Sequence, residues 1–268
     1  MIPQDYHIHT RYSCDSQASM TEMCRTALDL GISEIGFSDH YDLIPEDLCY
    51  GYFKPDAWWE ALEQCRIEFK GLLHIKAGIE IGEPHRFPQA TREILDKYPW
   101  DYALGSLHWV GGELVFHRSY FNQPAEVAYR TYFCELNQMV TEADFDILAH
   151  MDVVKRYGFD EYGNYDPRKY EADIRAVLRT CAQRDIALEV NTGTLRRPIQ
   201  QTSPSAEILT WFHEEGGRWI TIGSDAHSPE YVGAGFEKAI RSISNAGFEH
   251  LASFTTRQPS PFNDPAAS

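Results

Sequence analysis

The chain contains 11 histidines, and several of them recur in short patterns with carboxylates. His7-Ile8-His9 opens the set. Ser38-Asp39-His40, Ser106-Leu107-His108, Ala149-His150 and Asp225-Ala226-His227 follow, with Glu80 closing an apolar run and Asp15 shortly after the first pattern. In an extended strand, residues i and i+2 point the same way, so the His7 and His9 imidazoles can meet at one point. Asp225 and His227 repeat that spacing. One such pattern alone reads equally well as two hydrogen-bonded histidines; several in one chain point to metal binding. Imidazoles and carboxylates without thiolates suit zinc, manganese or iron better than calcium or a cysteine-type zinc site. The candidates are His7, His9, Asp15, His40, Glu80, His108, His150, Asp225 and His227. They exceed the shell of one four-coordinate ion, so two or three ions are expected, with Glu80 placed to bridge. Closely spaced ions generate a bound hydroxide and clamp the oxygens of a displacement at phosphorus.

The elements that must position these residues alternate along the chain. β-like runs fall at 5–9, 34–40, 73–81, 102–108, 145–150, 186–192 and 219–227. Amphipathic helical stretches fall near 19–30, 56–70, 88–97, 124–143, 167–184, 204–215 and 230–246, the first with Ser19 or Thr21 as N-cap and Gly31 as its stop. Such alternation implies a parallel sheet with helical crossovers. No GxGxxG follows the first run, which argues against a dinucleotide-binding fold. Polar residues at the ends of several separate runs favour a barrel with its site at the C-terminal face. Seven units rather than eight make that barrel irregular. A single domain is expected over 1–257, with loops at 41–55 and 109–123 as rims or lids and a proline-containing extended tail over 258–268.

Composition bounds the partners. The net charge of -16 disfavours broad nucleic-acid binding, and bound metal ions would offset part of it. Cys14, Cys24, Cys49, Cys65, Cys134 and Cys181 form no CxxC pair or dense framework, so free thiols in a reducing cytoplasm are expected. The N-terminus lacks the features of a signal peptide, and no apolar stretch approaches the ~20 residues that span a bilayer. Lys155-Arg156 and Arg196-Arg197 lie just past two strand ends, where arginine can grip phosphate with paired hydrogen bonds. His74, His85, His117, His213 and His250 are read as structural or surface residues. Asp39 is expected to orient a ligand or anchor a turn, and Trp58, Trp59 and Trp109 to pack in the core.

The motifs HIHT (7–10), SDH (38–40), GIE (78–80), GSLH (105–108), AH (149–150) and GSDAH (223–227) resemble those of the polymerase-and-histidinol-phosphatase (PHP) superfamily, and more specifically its monofunctional histidinol-phosphatases. The resemblance runs from the first strand to the last. It implies a distorted (β/α)7, TIM-like barrel and a trinuclear metal cluster. Position by position, it gives one ion to His7, His9, Glu80 and Asp225, a second to Glu80, His108 and His150, and a third to His40, His227 and Asp15. Many members carry histidine where this chain has Asp15. Glu80, His108, Asp225 and His227 are the expected catalytic core, and Arg156 and Arg196 the expected phosphate ligands. The function implied is hydrolysis of a small phosphorylated substrate, L-histidinol phosphate. The rivals are a PHP phosphoesterase acting on nucleotides or nucleoside bisphosphates, an amidohydrolase-type deaminase or amidase, and a non-enzymatic barrel. Oligomeric state is not legible.

Overall fold

The computed structural model describes residues 4–262. Its strands are β1 (Gln4–Ile8), β2 (Glu34–Phe37), β3 (His40–Tyr41), β4 (His74–Gly82), β5 (Tyr102–Ser106), β6 (Trp109–Val110), β7 (Glu113–Leu114), β8 (Ile147–Leu148), β9 (Ala187–Asn191), β10 (Ile220–Gly223), β11 (Ala252–Thr255) and β12 (Gln258–Pro261). Its helices are α1 (Met20–Asp29), α2 (Pro55–Glu68), α3 (Pro88–Lys97), α4 (Ala125–Glu142), α5 (Val154–Tyr162), α6 (Glu171–Gln183), α7 (Ala206–Glu214) and α8 (Phe236–Asn245).

Local sequence accounts for α1. Ser19 Oγ accepts from the Glu22 amide while the Glu22 carboxylate accepts from the Ser19 amide, closing a capping box. Met20, Met23, Cys24 and Ala27 then recur at helical spacing and are buried.

Parallel pairing runs β1-β2-β4-β5-β8-β9-β10, with β3 added beside β4. The ring closes between its first and last strands: the His9 amide donates to the Ala226 carbonyl at 2.9 Å, and Ile8 bridges Ala226 in parallel. This is the seven-stranded, distorted TIM-like barrel expected from the sequence. β1 carries an irregularity, because three residue steps from Asp5 to Ile8 oppose two from Ile35 to Phe37. Consecutive residues Tyr6 and His7 therefore both face the interior. Tyr6 stacks on Tyr102 at 4.7 Å toward the barrel floor, and His7 reaches Glu80 above. The Tyr102 ring lies against Gly36 and Gly78, where any Cβ would collide with it.

Three differences from the sequence reading stand out. First, α5 follows β8 as an additional helix, and it carries Arg156. Second, residues 258–261, expected within an extended tail, pair with 252–255 in the antiparallel hairpin β11–β12. This hairpin caps the floor: Phe254 packs on Tyr6 and Tyr102, Gln4 Nε2 donates to the Ala252 carbonyl, and Arg257 pairs with Asp144 and Asp146. Residues 258–261 of the expected tail thus pair with the domain, and 263–268 lie outside the described residues. Third, Cys14 and Cys49 are disulfide-bonded, correcting the expectation of six free thiols. They are 35 residues apart on two loops that meet at one barrel end, so no local spacing reveals the pair. Cys24, Cys65 and Cys181 are free and buried, and Cys134 is free and exposed.

Candidate metal centre and phosphate pocket

The C-terminal ends of the barrel strands, with the loop after β1 that carries Asp15, bring all nine sequence-derived metal candidates together. The first grouping centres on His7 and His9 at the end of β1. His7 Nε2 lies 3.3 Å from Glu80 Oε2, and His9 Nε2 lies 3.5 Å from the same oxygen and 3.4 Å from Asp225 Oδ1. The second lies at the other Glu80 oxygen. His150 Nε2 is 3.0 Å and His108 Nε2 3.5 Å from Oε1. In the third, the exposed Asp15 carboxylate lies 2.9 Å from His227 Nε2 and 3.7 Å from His40 Nε2. Glu80 thus touches all three groupings, because its Oε2 also lies 3.1 Å from His40 Nδ1. His150 (φ 22) and Asp225 (φ 55) hold left-handed backbone, a conformation costly for non-glycine residues and concentrated at functional sites.

The donor set fits divalent cations. His7 Nε2, His9 Nε2 and Glu80 Oε2 are buried, converge, and have no hydrogen-bond partner among the described residues. Buried polar atoms left so are expensive unless an ion completes them. Electrostatics point the same way. Burial works against charge on Glu80, yet His40, His7, His108 and His150 hold its carboxyl well below the usual range. Burial likewise opposes charge on Asp225, and His9, His7 and His227 overcome it. Burial, reinforced by His227 and His40, presses His9 down to about 3. His40 is raised to about 10, because Glu80, Asp42 and Asp15 outweigh its burial. Without a cation, such a site needs protons to balance its carboxylates.

The outer ring includes residues that sequence reasoning missed. Glu189, in β9, accepts at 2.6 Å from His7 Nδ1 and at 2.8 Å from the His150 amide, linking two groupings. Its EVNT context looks like any strand with one polar residue, and only closure of the barrel places it beside β1. Glu83 Oε1 accepts the His108 and Trp109 amides, and burial raises its pKa to about 7. Asp42 sits 3.5 Å from His40 Nδ1. Asp39 anchors a turn and orients a ligand at once. It accepts from Thr10, Ser13 and the Trp58 indole, and Ser13 Oγ in turn meets His9 Nδ1 at 3.1 Å. Such outer contacts fix ring orientation.

Arg156 and Arg196 line the same cavity, of about 470 Å³, as Asp15, His40, Glu80 and His227. Arg196 donates to the Ser224 and Asp225 carbonyls at 2.9 Å each and stacks on Tyr231. Arg156 stacks on Tyr157, and its buried Nε has no partner. Neither guanidinium has an ion-pair partner among the described residues, so both can face an anion. Lys155 is different: it is buried, bound to Asp152 and the Thr202 carbonyl, and serves the fold. Arg197 is exposed at the cavity rim. Of the histidines set aside, His74 is exposed where β4 begins, His85 meets Glu135, His117 caps the turn at 118–121, and His213 packs edge-on against Phe248. Trp58 is fully buried in the core, as expected.

The PHP domain family matches residues 5–193, from the first strand through the end of β9. This chain belongs to the PHP domain family. Among its relatives, the Lactococcus lactis histidinol-phosphatase is 28% identical, with 94% of each chain covered. A Clostridium acetobutylicum protein named "Probable histidinol-phosphatase" is 29% identical over 91% of this chain and 94% of its own. The fold of this PHP-domain chain superposes on the L. lactis histidinol phosphate phosphatase, solved with Zn, L-histidinol and phosphate, with a TM-score of 0.85. The two are 26% identical, and 97% and 99% of the chains are covered.

Proposed function

We propose that this protein is a metal-dependent phosphatase that hydrolyses L-histidinol phosphate to L-histidinol and phosphate, a step of histidine biosynthesis. The observation that carries the reading is the pairing, in one cavity, of a carboxylate-histidine cluster with two guanidiniums that have no acidic partner. The L. lactis relative, with Zn, L-histidinol and phosphate bound, supports the substrate class and the use of a divalent metal.

Three ions, of zinc, manganese or iron, are proposed. His7, His9, Glu80 and Asp225 would hold one, Glu80, His108 and His150 the second, and Asp15, His40 and His227 the third. When bound, these ions activate water and neutralise charge on the phosphoryl oxygens. Arg156 and Arg196 orient the phosphate and stabilise charge on its equatorial oxygens. The Ser224 and Asp225 carbonyls and Tyr231 hold Arg196 ready for that role. Glu189 fixes the His7 ring so that Nε2 faces the site. The amidohydrolase alternative relies on a bridging lysine; here Glu80 stands between groupings, and Lys155 is committed to Asp152. No helix of the described chain is long and apolar enough to cross a membrane. We place the enzyme in the cytoplasm, acting on a small phosphorylated substrate and not on nucleic acid.

A release screen tests this. The protein is loaded separately with Zn, Mn or Fe and offered amino-alcohol phosphates, nucleotides and nucleoside bisphosphates, with phosphate and ammonia both measured. Preferential phosphate release from L-histidinol phosphate is expected. Preference for nucleotides would support the other phosphoesterase reading, and ammonia without phosphate the amidohydrolase one.

A further inference from the structure

Asp15 is the most exposed of the nine metal candidates by its surroundings: it rides on a surface loop, while its partners stand at strand ends. What holds that loop is therefore informative. Ser13 is fixed by Asp39, and Ser16 by the His227 carbonyl. Between them, Cys14 and the Asp15 backbone make no hydrogen bond among the described residues. The tether in that gap is the bond from Cys14 to Cys49, with Cα atoms 5.2 Å apart. Cys49 is itself anchored: its amide donates to Asp47 Oδ1 at 2.8 Å, and Asp47 Oδ2 accepts from the Trp109 indole at 2.7 Å. A covalent and hydrogen-bonded line thus runs from Trp109 in β6 to the residue preceding Asp15.

We propose that Cys14 and Cys49 are positioning residues for Asp15, and that reducing their bond releases the ion of the Asp15–His40–His227 grouping. The proposal rests on the three-ion reading above. The chemistry is a two-electron exchange with a dithiol. Its thiolate attacks one sulfur, the Cys14–Cys49 bond breaks, two protein thiols result, and the reductant closes to its own disulfide. Asp15 then sits on a segment held only at Ser13 and Ser16, and its carboxylate loses its fixed approach to His227 and His40. The other two groupings rest on strand ends and keep their geometry.

The test uses wild-type protein, air-oxidised or reduced with a dithiol that is then removed under anaerobic conditions, and equilibrated with Mn²⁺ by dialysis. Manganese is the probe because thiolates are poor ligands for it, so the freed cysteines cannot mask a loss. Manganese per chain, alkylated thiols by mass spectrometry, and Tm are read on the same samples. The expected result is three ions in the oxidised protein and two in the reduced one. Asp15→Ala should hold two in either state, and the double variant Cys14→Ser/Cys49→Ser two whatever the reductant. Three ions in both wild-type states overturn the proposal, even with a lowered Tm, since that is the signature of a mere staple. Cys14 and Cys49 found as free thiols after air oxidation overturn it as well. Two ions in oxidised wild type, unchanged by Asp15→Ala, overturn the three-ion reading itself.

Discussion

At the scale of single residues, the nine metal candidates were legible because strand-end histidines and carboxylates are rare enough to read as a set. Their outer partners were not, because a buried carboxylate such as Glu189 gains meaning only from what the fold sets beside it. Glu189→Gln keeps the shape but removes the charge facing His7 Nδ1, and should cost roughly 10- to 100-fold in metal affinity or activity, read by metal titration and kcat. Arg156→Ala and Arg196→Ala each remove hydrogen bonds between charged groups, worth about 1.5–3 kcal/mol, so kcat/KM should fall by roughly 10- to 100-fold. Lysine at either position should restore only part of this, because a point charge cannot reproduce a paired contact. Metal loading should also be coupled to pH. Metal-free His40, raised from 6.5 to about 10, is protonated at neutral pH and must lose its proton to ligate. Affinity should therefore rise with pH up to about 10, with proton release visible by calorimetry in buffers of different ionisation enthalpy. In the metal-free protein the same shift stabilises the fold fully below 6.5, and that contribution is lost as pH rises through about 10.

At the scale of elements, periodicity located the seven barrel strands and the helices between them. α1 is an example: both its capping box and its buried face can be read directly from Ser19 to Ala27. What escaped were elements whose signal is tertiary. α5 begins without a side-chain cap directly after the His150 strand end, so its start blends into the loop that delivers Arg156. β11 and β12 are short and include prolines at 259 and 261, yet they pair because Phe254 finds the Tyr6–Tyr102 stack. That packing makes a test. Gly78→Ala would drive a methyl group into the Tyr102 ring beneath the site. Overpacking of this kind costs about 1–3 kcal/mol, which should appear as a lowered Tm with metal content retained.

At the scale of the whole molecule, the closed barrel explains why residues from 7 to 227 form one centre. Closure between β1 and the end of β10 sets His7 and His9 against Asp225, and the hairpin seals the opposite mouth. The disulfide shows the limit of composition: cysteine spacing argued for free thiols, while the meeting of two loops at the barrel rim paired Cys14 with Cys49. The most direct test of the centre is anomalous diffraction at a metal edge from crystals grown with Zn or Mn and phosphate. The account predicts three peaks within the His7–His9–Asp225, Glu80–His108–His150 and Asp15–His40–His227 groupings, with phosphate between them and Arg156 and Arg196. Metal outside this cluster, or phosphate bound away from both arginines, would contradict it.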